Sequence, residues 1–218
     1  MTTHPKVLVC FGDSNTYGSA PMNHLEDIRR HGPDQRWPGV LAGQLGPDWH
    51  VVEEALPGRT TVHADPIEGG HLSGIAAVPI IIGSHSPIDT VVMMLGVNDF
   101  KTRFAVTPHD IAASIEVLVA GIWSWSDRPG RKIPDILLVA PPPILEAGCL
   151  AGMYVGGRPK SEALGPILRE SAAKMGTGFL DAGQHIKSSE LDGIHFDVDQ
   201  HRILAGAISK HLTAGQAG

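Results

Sequence analysis

Five short apolar runs, at 6–10, 50–54, 90–95, 135–140 and 178–181, recur between longer stretches of mixed character. Those at 90–95 (TVVMML) and 135–140 (DILLVA) are almost unbroken hydrophobics, which predicts strands covered on both faces. Between the runs the spacing becomes helical. Over 37–45, Trp37, Val40, Leu41 and Leu45 share one face, and over 111–123 Ile111, Ile115, Leu118, Val119 and Ile122 do the same. Segments 160–175 and 197–212 supply two further helices. Thr107 followed by Pro108 reads as a helix start, with the proline where its missing N–H is not needed, and Asp197 reads as another. Strand and helix alternate, so the expected class is α/β, with a parallel sheet and helices on both sides. Two irregular stretches, 19–36 and 141–158, are long enough to be functional walls or interface elements. With no internal repeat and no linker, one domain over 1–218 is expected, its ordered core at about 6–212.

At 218 residues, 42% hydrophobic and 18% charged, the chain can build one sizeable core. A formal charge of −6 without any basic block argues against nucleic acid as a partner. The start, MTTHPKVLVCFGDS, has one lysine before a short apolar run and no small-residue cleavage site, so no signal peptide is expected. No run approaches the roughly 18 to 20 apolar residues that span a bilayer, so no membrane association is expected. Two cysteines do not make a disulfide framework, and a cytoplasmic location is the default expectation. Of the twelve histidines, His63, His71, His85 and His109 lack ligand-like spacing and His50 begins a strand run, so no metal is expected.

Parallel α/β sheets bind ligands beyond the carboxyl ends of their strands. Ser14, in CFGDSNTYG, follows the first run; Gly58, in ALPGRTT, the second; Asn98, in MMLGVNDF, the third. Near the other end, LDGIH sets Asp192 and His195 three residues apart, close enough to share one side of a turn. An aspartate so placed can hold one imidazole nitrogen while the other takes a serine proton. The Ser14 N–H, the Gly58 N–H and the Asn98 side-chain amide are candidate donors to a developing oxyanion. Each has a plainer reading. Asp13, Ser14 and Asn15 between glycines, Pro57 before Gly58, and GVND all carry turn signals, and Asp-x-x-His pairs are common on surfaces.

Taken in order, GDS, a glycine loop, GxND and DxxH resemble the SGNH (GDSL-type) hydrolase superfamily. Its signature residues match Ser14, Gly58, Asn98 and His195, with Asp192 as the acidic partner. The resemblance implies a three-layer α/β/α fold around a flavodoxin-like five-stranded parallel sheet, a Ser14–His195–Asp192 triad and no cofactor. RWPGVLAGQLG, VVEEALPGRTT, MMLGVNDFK, VAPPP and LDGIHF are similar to the bacterial arylesterase and acyltransferase branch. That likeness implies small acyl or aryl esters as substrates, with acyl transfer to alcohols or peroxide in some members. It also implies a homo-oligomer whose extended loops wall a narrow apolar channel. Asn15, Tyr17, Arg59, Leu145, Met153 and Tyr154 are the candidate pocket residues, Arg59 with a structural role favoured. The branch often reads GDSLTWGW where this chain has GDSNTYGS, so an aromatic wall is reduced, which favours hydrolysis over transfer. The alternatives are a carbohydrate O-acetyl esterase with the same catalytic set and, more remotely, a flavodoxin-like flavin or nucleotide module. The latter lacks a GxGxxG or Walker-type loop here.

Overall fold

The computed structural model describes residues 4–129 and 131–214. The expectations touching residues 1–3, 130 and 215–218, the signal-peptide reading and the outer bounds of the single domain, lie outside the described residues. Five strands, β1 (Lys6–Gly12), β2 (Trp49–Ala55), β3 (Thr90–Met94), β4 (Asp135–Ala140) and β5 (Gly178–Asp181), form one sheet in the order β2-β1-β3-β4-β5. Every pairing is parallel. This is the flavodoxin-like order, with its switch point between β1 and β3.

The helices are α1 (Ser14–Tyr17), α2 (Trp37–Leu45), α3 (Gly74–His85), α4 (Pro108–Ser126), α5 (Gly157–Met175) and α6 (Val198–Ala214). Successive strand side chains point to opposite faces, and the core divides accordingly. Leu8, Cys10, Val92, Met94, Leu137 and Val139 pack with Trp37 and Leu41 of α2 and with Leu204 and Ile208 of α6. Val9, Phe11, Val91, Met93, Ile136 and Leu138 pack with α3, α4 and α5 on the other side. Each fully buried apolar side chain contributes about 1.5–3 kcal/mol, so two such layers hold the sheet from both faces.

The five strands and four helices expected from spacing are present, with small shifts at their ends. Helix α4 starts at Pro108 because Thr107 and Asp110 make a reciprocal cap: Thr107 Oγ1 accepts from the Asp110 N–H at 3.2 Å, and the Asp110 carboxylate accepts from the Thr107 N–H at 2.8 Å. Helix α3 is an addition that spacing did not predict. The stretch 141–158 is not wholly irregular, since Gly148–Met153 winds as a 3-10 helix and Gly157 already opens α5. Among the described residues no helix is long and apolar enough to cross a membrane.

Candidate active site

Strand β1 ends at Gly12, and the chain turns at once into α1. Asp13 caps that single turn, its Oδ1 accepting from the Asn15 N–H at 2.9 Å, and Gly18 closes it in the left-handed conformation at φ 86°. The tight turn leaves Ser14 at the strand end, where it lines a cleft of about 510 Å³.

His195 arrives from the far end of the chain, after β5. Its Nε2 lies 3.0 Å from Ser14 Oγ, and its Nδ1 lies 2.6 Å from Asp192 Oδ2. Asp192 is fully buried and saturated with donors: Oδ1 accepts from the N–H groups of Ile194 and His195 at 2.9 and 3.0 Å, and Oδ2 also accepts from the Met22 N–H at 2.8 Å. Burial alone would raise this carboxyl, but the His195 ring and these N–H groups outweigh it and hold the group below the usual carboxylate range. An ionised Asp192 accepts from Nδ1–H, which leaves Nε2 with a lone pair aimed at the serine hydroxyl. The arrangement can therefore take a proton from Ser14.

The two donor-bearing loops border the same cleft. Gly58 follows β2 at φ 83°, a conformation that favours glycine, and it lines the cleft with Pro57. Among the described residues neither the Ser14 N–H nor the Gly58 N–H has a hydrogen-bond acceptor. Asn98 follows β3; its Nδ2 donates to the Arg59 carbonyl at 3.1 Å, and its Oδ1 accepts from the Tyr154 hydroxyl at 3.2 Å. Asp99, fully buried, then ties the loops together. Its carboxylate accepts from the Thr61 N–H, from Thr61 Oγ1 at 2.6 Å, and from His63 Nδ1 at 2.7 Å, and that last bond raises the His63 pKa. The structure thus brings Ser14, Gly58, Asn98 and His195 to one cleft, with Asp192 buried behind His195.

The expected pocket residues divide. Tyr17, Met153 and Tyr154 line the cleft, whereas Asn15, Arg59 and Leu145 do not. Asn15 is buried beneath the turn, its amide donating to the Ile194 carbonyl at 3.2 Å. The Arg59 guanidinium is drawn inward to the carbonyls of Gly12 and Glu54, at 3.0 and 2.7 Å, where it holds the loop instead of meeting substrate. Leu145 spends its backbone N–H on the Gly193 carbonyl, bracing the loop that carries Asp192 and His195. Sequence reasoning missed Met22, Asp99, Glu68 and Lys101. The last two face the cleft as an ion pair at 2.8 Å, which Arg103 joins through Glu68. The available signal for Lys101 was its place three residues beyond Asn98; that it is buried, and buried with an acidic partner as a lysine requires, is seen only in the structure. Among the described residues no group of three or more His, Cys, Asp or Glu side chains gathers as metal ligands would.

Residues 10–203 match the model of the GDSL-like lipase/acylhydrolase family. Among solved structures, the chain is similar to a carbohydrate acetylesterase from Sinorhizobium meliloti, at 35% identity and a TM-score of 0.92, over 96% of this chain and 99% of that one. It is similar also to the aryl esterase of M. smegmatis, at 37% identity and a TM-score of 0.91, again over 96% and 99%. A further carbohydrate acetylesterase family member from Sinorhizobium meliloti aligns at 33% identity and a TM-score of 0.87, over 96% and 98%. No curated relative matches the chain.

Proposed function

The chain belongs to the GDSL-like lipase/acylhydrolase family and is a carboxylic ester hydrolase, and from that premise we propose that it cleaves small acyl and aryl esters through a serine-bound acyl intermediate. The observation that carries this reading is the continuous hydrogen-bonded line from Asp192 through His195 to Ser14 at the rim of a largely apolar cleft.

In the first half-reaction Ser14 Oγ attacks the ester carbonyl carbon while His195 Nε2 takes its proton. Asp192 stabilises the imidazolium that results. The carbonyl oxygen, now carrying the negative charge, is met by the N–H groups of Ser14 and Gly58 and by the Asn98 amide, all fixed before the reaction begins. Collapse expels the alcohol, which receives its proton from His195. Water then repeats the sequence on the acyl-enzyme, with His195 as its base, and releases the acid. Water is the favoured acceptor, with alcohols or peroxide as minor ones, because Tyr17 and Ser19 stand on the cleft wall where the branch commonly carries tryptophan. No cofactor enters this scheme.

We favour a cytoplasmic site of action, on cysteine usage, and a homo-oligomeric assembly. A carbohydrate acetylesterase is the second reading. It is favoured by the acetylesterase neighbours and by Glu68, Lys101 and Ser19, polar groups able to meet sugar hydroxyls. Wild type and Ser14→Ala are to be assayed on p-nitrophenyl acetate and on acetylated xylo-oligosaccharides. The expected result is wild-type preference for the aryl ester, and a loss of about 10⁴-fold or more in Ser14→Ala with an unchanged circular dichroism spectrum. Deacetylation outpacing aryl ester cleavage favours the second reading, and wild-type turnover in Ser14→Ala removes the serine mechanism.

A further inference from the structure

A carboxamide has two ends of nearly equal size and opposite chemistry. Asn98 helps an oxyanion only if Nδ2, and not Oδ1, faces the reacting carbonyl. The Arg59 carbonyl sets the sign of this choice, since it accepts a hydrogen from Nδ2 and would repel Oδ1. It does nothing for the oxygen end, which is buried and needs a donor of its own.

That donor is the Tyr154 hydroxyl, 3.2 Å from Oδ1. We propose that Tyr154 is a positioning residue for turnover, anchoring the oxygen end of the Asn98 amide so that the second Nδ2 hydrogen is held toward the cleft. The inference rests on the reading of Asn98 as an oxyanion donor. Two consequences follow from one bond. The carboxamide loses its freedom to rock about its terminal torsion, and a hydrogen bond to its oxygen polarises the amide, making the N–H a stronger donor.

Tyr154 is suited to the task. It is 3% exposed, yet it lines the cleft, and its ring sits just beyond the 3-10 helix Gly148–Met153. Burial, reinforced by the nearby Asp13 carboxylate, pushes the phenol well above its ordinary value, so it keeps its proton to donate. Arg59 follows β2, Asn98 follows β3 and Tyr154 follows β4, so three strand-end loops converge on one amide.

Tyr154→Phe keeps the ring and deletes only the hydroxyl. With p-nitrophenyl acetate, kcat is expected to fall about tenfold, the size of one buried hydrogen bond, while KM changes less than about twofold, the mark of a contact that matters in the transition state. Coupling is the deciding readout. In an Asn98→Ala background the same substitution should change kcat by less than about twofold, since the amide it serves is gone. An impaired Asn98→Ala enzyme in which Tyr154→Phe costs as much as in wild type, or a Tyr154→Phe effect confined to KM, overturns the role of Tyr154 and leaves the esterase reading intact. An Asn98→Ala enzyme that turns over like wild type overturns both the oxyanion role of Asn98 and the inference built on it.

Discussion

Two buried aspartates flank the same histidine and are pushed in opposite directions. Asp192 is held low by the donors around it. Asp13 is raised to about 6, because burial outweighs the Asn15 N–H and the influence of His195 and Arg59. A carboxyl raised in the folded state from an ordinary value near 3.8 binds more protons there than in the unfolded chain. Its contribution to stability is therefore complete below about pH 4 and is lost as pH rises through about 6. Asp13→Asn retains an oxygen for the Asn15 N–H and removes the charge. Its melting temperature relative to wild type should therefore increase between pH 4 and pH 7; a difference independent of pH over that window removes the buried-charge account. The convergence of GDS, GxND and DxxH was legible because residue type and strand-end position restrict where those letters can go. The Tyr154 bond to Asn98, the Met22 N–H on Asp192 and the Asp99 anchor were not. They depend on where the loops at 19–36 and 141–158 travel, which short-range spacing does not encode.

The central strands β1, β3 and β4 were legible because burial leaves nearly all their letters apolar. The partly buried edge strands β2 and β5 showed only as short apolar cores; β4 and β5 begin and end where the runs do. Helix α3 escaped detection for a physical reason. Its sequence GIAAVPIIIGSH is apolar nearly throughout and carries Pro79 inside, so it offers neither a polar face nor a propensity signal. The site depends on how two loops are braced together, and glycine permits this. Gly193 sits at φ 79° between Asp192 and the His195 segment, and a Cβ there would overlap the Leu145 carbonyl oxygen. The two loops would have to part for any side chain to fit. Gly193→Ala should destabilise the protein by about 2–4 kcal/mol, from backbone strain and overpacking together. Displacing His195 by a fraction of an ångström should also lower kcat about 10²-fold. Gly43→Ala in α2, where a Cβ meets nothing within 4 Å, is the control and should be neutral or stabilising by up to about 1 kcal/mol. Thermal unfolding and p-nitrophenyl acetate turnover on both variants decide the matter; a Gly193→Ala enzyme matching wild type in both shows that the bracing is dispensable.

Around the cleft the surface turns apolar where a solitary subunit would be expected to turn polar. Ile28 is 94% exposed and Leu25 is exposed beside it, both on the cleft rim supplied by the 19–36 loop. Val155, next to the cleft residue Tyr154, is exposed too, and the exposed Ile67 borders a neighbouring depression with Met153. Scattered exposed apolar residues need no explanation, but a set collected about one opening marks a surface that meets something. Under the homo-oligomeric reading proposed above, a second copy of the chain is what would cover this surface. Covering these side chains would remove apolar area from water at about 25 cal/mol per Å², and it would narrow the opening to the Ser14 end. In such an assembly, subunit association and substrate size would be linked. Light scattering at about 10 µM should give a mass that is a multiple of the monomer's, and Ile28→Glu combined with Leu25→Glu should shift it toward the monomer by placing charges in the contact. Because Leu25 and Ile28 are exposed residues of the cleft lining and supply none of the triad or amide-donor groups, p-nitrophenyl acetate turnover should persist in that variant. Its kcat/KM for a bulky naphthyl ester should rise relative to the acetate as the mouth opens. A wild-type protein that is monomeric at this concentration, or a monomeric variant with unaltered size selection, separates the rim from the selectivity of the site and leaves the cleft walls Tyr17, Met153 and Tyr154 to set it.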